Sequence, residues 1–336
     1  MIKEAIEMLT SGVSLSEAEM AQCMRQIMEG QASPAQIGAF LTALRMKGET
    51  VEEITGAAMV MRDKALKIQA PPGVLDTCGT GGDMAGTFNI STVAALVVAA
   101  CEVPVAKHGN RSVSSQTGSA DVLEALGVNI ELPPEKVQQC LAETGFGFLF
   151  APLFHPAMRY ALGPRRELGI RTIFNILGPL TNPAGARRQL MGVFADHLTS
   201  TLAQVLGRLG AEDAMVVHGE DGLDEITITN GTKVSRWHKG ALEESFISPE
   251  DFGLPRAELR DLQGGDKEEN ARIALGILKS EPGPRRDVVL MNAAAALLVA
   301  GKVEGLREGF QMAQEAVDSG RALRKLQEVV EFTRSV

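Results

Sequence analysis

The sequence predicts an α/β protein with a small N-terminal helical domain and a larger α/β domain built on a mainly parallel central sheet. Three helix starts with the same capping pattern fall within the first 70 residues. From residue 73 onward, short apolar segments typical of strands alternate with helical segments, as in parallel sheets. The pair Pro71-Pro72 separates the two regions and marks a boundary.

The helical region covers residues 1–70. A short helix is expected near residues 2–9, and Pro34 occupies a first helical position, where its missing N–H costs nothing. At three predicted helix starts, including the one before Pro34, a hydroxyl residue is followed three positions later by Glu or Gln. The pairs are Ser16 with Glu19, Ser33 with Gln36, and Thr50 with Glu53. Cys23 and the methionines of this region are expected in its core.

The larger region alternates strands and helices. Strands are predicted at residues 74–77, 103–106, 129–132, 215–217 and 288–290. Helices are predicted at residues 119–126, 134–144, 198–209 and 292–300, the last with Asn292 as its cap. Residues 226–229 and 234–237 flank Asn230-Gly231, which favours a two-residue hairpin. Ligands of such sheets bind beyond the carboxyl ends of the strands.

Composition limits the possible functions. The net charge of −9 and the aromatic fraction of 4% argue against binding to nucleic acid. The four cysteines are scattered without zinc or disulfide spacing, so a reducing cytoplasm is expected. The N-terminus lacks the apolar run of a signal peptide, and the longest apolar runs are too short to span a membrane, so no membrane partner is expected.

A glycine-rich stretch between the first strand and the next helix is typical of phosphate binding. It contains Gly79, Gly81, Gly82 and Gly86, and glycines let backbone N–H groups approach a phosphate at a helix start. No lysine follows them as in a nucleoside-triphosphate loop, and Met84 stands where a dinucleotide fingerprint needs glycine. A tight turn is the alternative, but hydroxyl, amide and acidic residues crowd the same segment: Asp83, Thr87, Asn89, Ser91 and Thr92.

Three further features could complete such a site. A basic loop, residues 107–111, follows the second strand. The adjacent carboxylates Asp224 and Glu225 could hold Mg²⁺, which prefers oxygen ligands and suits an acidic protein that binds a polyphosphate, or could belong to a solvated loop. Arg165 and Arg166 could form surface ion pairs, or the guanidinium of one of them could bind the carboxylate of a ligand.

The combination GTGGD, FNIST, KHGNR and GSADVLEALG, with HPAM, RRELGIRTIFNILGPLTNPAG and GLDEI further on, resembles the anthranilate phosphoribosyltransferases of tryptophan biosynthesis. The resemblance spans nearly the whole chain. It implies transfer of a phosphoribosyl group from 5-phosphoribosyl 1-diphosphate to the amine of anthranilate, with release of diphosphate. It also implies Mg²⁺ and a homodimer formed through the helical domain.

The resemblance also assigns domains and site residues. Part of residues 165–185 would pack back on the helical domain, leaving residues 73–160 and 188–336 as the domain that binds phosphoribosyl diphosphate. Metal ligands would be Ser91, Asp224 and Glu225, and the anthranilate pocket would contain Gly79, Asn110 and Arg165. Phosphoribosyl diphosphate would contact Gly79, Gly82, Asp83, Thr87, Asn89, Ile90, Ser91, Thr92, Lys107, His108, Gly109, Asn110, Arg111, Ser112, Val113, Ser114, Ser115 and Ser119.

Catalysis is expected to be positional and electrostatic, through Lys107 and Arg165, because no activated nucleophile is recognisable. Gln116 departs from relatives that often carry lysine there, so one positive charge near the diphosphate would be missing. His108 and His155 could line the site, whereas His197, His218 and His238 are expected to be structural or solvated. The rival functions are a pyrimidine nucleoside phosphorylase, a nucleic-acid-binding relative and a nucleotide-responsive structural protein.

Overall fold

The computed structural model describes residues 1–112 and 117–336. Four helices open the chain: α1 (Ile2–Thr10), α2 (Glu17–Met28), α3 (Pro34–Lys47) and α4 (Val51–Lys64). The predicted capping boxes at the starts of α2, α3 and α4 are all confirmed, and each satisfies two N–H groups that a helix start leaves free. Gly48 ends α3 with a φ of 88°, a left-handed value that glycine adopts readily.

A buried ion pair ties the helical region together. Glu53 has no exposed side-chain surface, and its carboxylate accepts hydrogen bonds from the backbone N–H groups of Leu15 at 2.9 Å and Thr50 at 2.8 Å. Lys47, whose side chain is 7% exposed, pairs with it at 2.9 Å. The same carboxylate therefore caps α4 and holds the segment before α2.

Glu53→Ala is expected to destabilise the protein by about 3–5 kcal/mol, because it leaves a buried ammonium group without its partner. Glu52→Ala is the matched control. The neighbouring Glu52 pairs with Arg208 through side chains that are both nearly half exposed, and such pairs contribute about 0–1 kcal/mol. Urea unfolding of both variants measures the difference. Equal losses would show that Glu53 acts only as a surface charge.

One sheet of seven strands forms the centre of the described larger region. The strands are β1 (Leu75–Gly79), β2 (Val105–Gly109), β3 (Phe146–Phe150), β4 (Arg188–Gly192), β5 (Asp213–Gly219), β6 (Thr232–His238) and β7 (Ala241–Ile247). They lie in the order β3-β2-β1-β4-β5-β6-β7. The first five are parallel, and β6 pairs antiparallel with both β5 and β7, so the prediction of a mainly parallel sheet is confirmed.

Helices cover the sheet on both faces. Those of the larger region are α5 (Ile90–Ala100), α6 (Ser119–Ala125), α7 (Pro134–Thr144), α8 (Ala151–Phe154), α9 (Arg159–Leu168), α10 (Phe174–Leu177), α11 (Leu198–Arg208), α12 (Lys267–Leu278), α13 (Pro284–Val299), α14 (Leu306–Asp318) and α15 (Arg321–Ser335).

Within residues 1–112 and 117–336, no helix combines the length and the apolar character needed to cross a membrane.

Strand β5 shows how the two faces are filled. Met215 and Val217 enter a core that contains α5 and α13, whereas Ala214 and Val216 enter a second core. Alternate residues of a strand point to opposite faces, so a strand buried on both sides is apolar throughout. The second core also contains the N-terminal helices and residues 173–177, so this later segment packs with the start of the chain. The exact domain bounds stay a prediction.

Two predicted strands are wrong. Residues 129–132 form no strand; the third parallel strand is β3, and the backbone N–H of Asn129 instead donates to the hydroxyl of Thr333 at 3.2 Å. Residues 288–290 lie inside α13, which begins at Pro284. A short apolar run that is buried on all sides has the same sequence pattern in a helix and in a strand. Asn292 is therefore not a helix cap but a mid-helix residue.

The predicted hairpin around Asn230-Gly231 is also wrong. Residues 226–229 belong to no strand, and β6 pairs with β5 on one side and β7 on the other. The tight turn of this meander lies at Lys239-Gly240, where both residues have positive φ. The Asn230-Gly231 pair instead ends a long loop, residues 220–231, that joins β5 to β6.

Candidate active site

A cavity of about 400 Å³ opens at the carboxyl ends of the parallel strands. Its walls come from the glycine loop after β1, the first turn of α5, the loop after β2, the segment near Arg165 and the acidic pair at Asp224 and Glu225. All the site residues predicted from the sequence that the structure describes line this cavity. Val113, Ser114, Ser115 and Gln116 lie outside the described residues.

The glycine loop lies close to the carboxylate of Asp224. Gly81 and Gly82 have φ of 66° and 79°, in the left-handed region that other residues adopt only with strain. A Cβ atom on Gly79 would lie 2.4 Å from a carboxylate oxygen of Asp224, so only glycine fits there without a shift. The backbone N–H of Gly81 donates to the same carboxylate at 2.7 Å.

The helix start beyond this loop adds positive potential. The first turn of α5 lines the cavity, and the N-terminus of a helix favours bound anions. Asn89 does not cap the helix with its side chain; its amide instead donates to the carbonyl of Thr117 at 3.1 Å. The glycine loop and the segment after residue 116 are thereby joined at the cavity wall.

The acidic pair is buried. Asp224 is 9% exposed and Glu225 is 8% exposed, and the backbone N–H of Ser91 donates to Glu225 at 3.0 Å. Burial, together with the charges of Glu225 and Asp83, raises the pKa of Asp224 well above its ordinary value. Burial also raises the pKa of Glu225 to about 7. The pKa values of both carboxylates stay raised although Gly81 and Ser91 donate N–H groups to them and Lys107 lowers that of Glu225, so the pair fits a site for a divalent cation.

The donor set is incomplete by itself. The described residues contain no group of three or more His, Cys, Asp or Glu side chains placed to hold a metal. Mg²⁺ commonly uses one or two carboxylates and takes its other ligands from water and substrate phosphates. The acidic pair therefore suits a cation that arrives with a phosphate ligand.

Lys107 lines the cavity but is only 1% exposed. Its ammonium group donates to the carbonyl of Thr77 at 2.5 Å and to the hydroxyl of Ser91 at 3.3 Å. Burial lowers its pKa, although the carboxylate of Asp76 opposes this shift. Asp76 is fully buried and accepts a hydrogen bond from the backbone N–H of His108 at 3.2 Å, and burial raises its own pKa to about 6.

Arg165 lines the cavity and is half-buried. Its guanidinium carbon lies 5.0 Å from the centre of the Phe174 ring, a cation–π distance. Its side chain forms no ion pair or hydrogen bond with the residues that the structure describes, and neither does that of Arg166, so these residues supply no partners for a salt-bridge cluster. A planar cation that faces a cavity without an anionic partner fits a carboxylate ligand.

Sequence reasoning missed several lining residues, above all Arg171. Its guanidinium donates to the carbonyl oxygen of Gly82 and lies 4.4 Å from the centre of the Phe194 ring, while its own carbonyl accepts a hydrogen bond from Arg45 at 2.6 Å. The only sequence signal was its position in the same motif stretch as Arg165. Other lining residues that were not predicted are Cys78, Thr80, Phe88, Thr117, Gly118, Ala151, Phe174, Asn175, Gly178 and Pro179.

The structure places some histidines at or near the cavity and others in contacts elsewhere. His108 lines the cavity, whereas His155 is absent from its described lining, although the two ring centres are 5.0 Å apart. Burial lowers the pKa of His108 to about 3, so this ring is neutral near pH 7. His218 contacts the carbonyl of Val193 at 2.7 Å, and His238 contacts Asp213 at 2.8 Å; both contacts are structural.

The helical region and the larger α/β region each match one domain of a glycosyl transferase family. Residues 3–65 match the helical bundle domain of the glycosyl transferase family, and residues 71–323 match its a/b domain. The chain is 58% identical to anthranilate phosphoribosyltransferase of Moorella thermoacetica, over 100% of this chain and 99% of that protein. It belongs to the anthranilate phosphoribosyltransferase family.

Solved structures agree. The crystal structure of the Thermus thermophilus enzyme superposes with a TM-score of 0.93 at 47% identity, covering 98% of this chain and 99% of that one. The Saccharomyces cerevisiae enzyme in complex with PRPP and Mg superposes with a TM-score of 0.92 at 29% identity, covering 100% and 98%. The same yeast enzyme in complex with 4-fluoroanthranilate gives a TM-score of 0.90 at 28% identity, again covering 100% and 98%.

Proposed function

We propose that the cavity binds phosphoribosyl diphosphate and anthranilate side by side and transfers the phosphoribosyl group to the anthranilate amine, the reaction of tryptophan biosynthesis that defines this family. One observation carries the proposal: a glycine loop, a buried acidic pair and an unpaired arginine face a single cavity. The first two suit a polyphosphate with its cation, and the third suits an aromatic carboxylate.

Phosphoribosyl diphosphate is assigned to the side of the cavity formed by the glycine loop, the start of α5 and residues 107–112. Backbone N–H groups and the helix terminus would receive its phosphates there. Ser91, Asp224 and Glu225 would hold Mg²⁺. When bound, Mg²⁺ offsets the charge that develops on the diphosphate leaving group. The yeast relative whose structure contains PRPP and Mg supports this assignment.

The chain's own residues do the remaining work by placement and electrostatics. Lys107 lies next to Ser91, where its positive charge would stabilise the departing diphosphate. The anthranilate amine carries its lone pair already, so it needs orientation rather than deprotonation before it attacks the anomeric carbon. No covalent intermediate with the protein is required, and the proton released from the amine passes to solvent or to diphosphate.

Arg165 is proposed to bind the carboxylate of anthranilate, with Gly79 and Asn110 in the same pocket. Arg165→Ala is expected to raise the KM for anthranilate by about tenfold or more, because a charge-assisted hydrogen bond contributes about 1.5–3 kcal/mol. The KM for phosphoribosyl diphosphate should change little. Steady-state kinetics with each substrate varied in turn measures the split.

Arg166→Ala is the matched control, since Arg166 is exposed and adjacent in sequence. It should leave both KM values near those of the parent enzyme. Equal losses for the two substrates in Arg165→Ala would mean that Arg165 supports the fold rather than the acceptor.

The reaction itself is tested by the fluorescence of anthranilate. Fluorescence should fall when phosphoribosyl diphosphate and Mg²⁺ are both added, and should stay constant when either is omitted. Release of thymine from thymidine and phosphate, without loss of anthranilate, would instead establish a nucleoside phosphorylase. A gel shift at low salt would test the nucleic-acid-binding alternative.

Two proposals concern the protein's surroundings. We infer a homodimer formed through the helical region; Met46 and Met59 in this region are 83% and 42% exposed, and a partner would cover such apolar side chains. We also infer a cytoplasmic location, which the four free and buried cysteines support. Light scattering of the purified protein tests the first inference, and fractionation of cells tests the second.

A further inference from the structure

We propose that Asn292 is a positioning residue for the acidic pair: its carboxamide fixes the backbone of Ile226, the residue that directly follows Glu225. The inference rests on the proposed function, in which Asp224 and Glu225 hold Mg²⁺. It concerns a residue that lies outside the described cavity lining, in the middle of helix α13.

The contact is made at both ends of one amide group. The side-chain oxygen of Asn292 accepts a hydrogen bond from the backbone N–H of Ile226 at 3.0 Å. The side-chain nitrogen donates to the carbonyl of the same residue at 2.8 Å, and to the carbonyl of Val288 in its own helix at 2.9 Å. Asn292 is 1% exposed, so water does not compete for these bonds.

Ile226 needs such a partner. It is fully buried, yet it lies in the loop of residues 220–231, which belongs to neither β5 nor β6 and so has no strand ladder to satisfy its backbone. Buried N–H and C=O groups almost always find partners. Asparagine is a poor residue for a helix interior, so its place in α13 is explained by the contact across to Ile226 rather than by the helix.

The sheet holds the acidic pair at Asp224. A Cβ atom on Gly79 would lie 2.4 Å from the Asp224 carboxylate, and one on Gly192 would lie 1.5 Å from the Asp224 carbonyl oxygen. The chain is therefore held at Asp224 by the close approach of Gly79 and Gly192, and at the residue after Glu225 by the carboxamide of Asn292. Helix α13 is itself part of the large core, which makes it a rigid support.

Loss of the carboxamide would leave both backbone groups of Ile226 buried without partners. The loop would then move to reach other partners, and the carboxylate of the preceding Glu225 would move with it. Residues that orient metal ligands typically change metal affinity by about 10- to 100-fold when they are replaced. Arg165 forms no hydrogen bond or ion pair with Asp224 or Glu225, and Gly79 of the anthranilate pocket is held in β1, so anthranilate binding should change little.

The test is Asn292→Leu, which keeps the volume and removes both hydrogen-bonding atoms. The readout is the shift in melting temperature that phosphoribosyl diphosphate induces as Mg²⁺ is titrated, a measure of binding without turnover. Half of the maximal shift should require about 10- to 100-fold more Mg²⁺ than in the parent protein. Excess Mg²⁺ should restore the shift. The KM for anthranilate should stay within about twofold of the parent value, which is the variation expected for a site that the substitution does not disturb.

Thr333→Val is the matched control, because Thr333 is also buried and holds the backbone N–H of Asn129 from a neighbouring helix, away from the acidic pair. It should lower the melting temperature without changing the Mg²⁺ midpoint. If Asn292→Leu does not fold, Asn292→Gln serves as the test instead. Its carboxamide is displaced by one methylene, so this variant should also raise the Mg²⁺ midpoint.

An unchanged midpoint in Asn292→Leu, or one displaced no further than in Thr333→Val, would overturn the inference. The combined replacement Asp224→Asn with Glu225→Gln separates the two levels of the argument. If it abolishes the Mg²⁺ response while Asn292→Leu leaves it unchanged, the positioning role alone is refuted. If neither changes the response, the proposed metal site is refuted too, and the inference falls with it.

Discussion

Asp224→Asn combined with Glu225→Gln is expected to lower kcat/KM for phosphoribosyl diphosphate by about 100- to 1000-fold, the range typical of losing a transition-state charge contact. The two amides keep the shape of the acidic pair but offer no anionic oxygen to Mg²⁺. The leaving diphosphate would then develop its charge with only Lys107 and backbone N–H groups to stabilise it. Rates measured over a Mg²⁺ titration test this.

The loss should be specific to activity. Because burial raises the pKa of Glu225 to about 7, the folded state holds a proton there more tightly than the unfolded chain, whose Glu titrates near 4.5. That contribution to stability is present below about pH 4.5 and is lost as the pH rises through about 7. At pH 8 and without metal, the double amide variant should therefore be at least as stable as the parent protein.

Glu243→Gln with Glu244→Gln is the control for the change in charge. These carboxylates are also adjacent, but they are exposed on strand β7. Their replacement should leave the Mg²⁺ dependence unchanged. The same Mg²⁺ titration curve for the acidic-pair variant and the parent enzyme would remove Asp224 and Glu225 from the site.

Gly192→Ala is expected to destabilise the protein by about 1–3 kcal/mol or more and to weaken Mg²⁺-dependent binding of phosphoribosyl diphosphate. The added Cβ would lie 1.5 Å from the carbonyl oxygen and 2.3 Å from the carbonyl carbon of Asp224. Both are backbone atoms, so no side-chain rotation can relieve the overlap. Either β4 or the acidic pair has to move.

Chemical denaturation and a Mg²⁺ titration of ligand-induced stabilisation measure the two effects. Gly38→Ala is the control, because Gly38 is inside helix α3 and a Cβ there would meet nothing within 4 Å. It should be neutral or stabilise by about 0.5–1 kcal/mol. Parent-like stability and binding in Gly192→Ala would contradict the placement of Asp224 against β4.

The local parts of the fold were predictable from the sequence because local chemistry fixes them. Capping boxes at Ser16, Ser33 and Thr50 need only residues three positions apart, and all three formed. The glycine loop and the basic loop each follow a parallel strand, which places them at the same sheet edge. The acidic pair was recognised because its motif resembles a known family.

Contacts between residues far apart in the chain could not be predicted from the sequence pattern. Asparagine is a residue type that often caps helices, and only the fold shows that Asn292 reaches Ile226, which is 66 positions away in the chain. The Asn230-Gly231 turn signal was outweighed by the pairing of β6 with β5, which needs the whole intervening loop. Arg171 donates a hydrogen bond to the carbonyl of Gly82, 89 positions earlier in the chain, a contact with no sequence spacing to reveal it.

The most direct test of the account is a crystal structure with Mn²⁺ and phosphoribosyl diphosphate, in which anomalous scattering locates the ion. The account predicts an anomalous peak in contact with the carboxylates of Asp224 and Glu225, with the diphosphate against the glycine loop after β1. A diphosphate bound elsewhere, or an ion in contact with neither carboxylate, would contradict it.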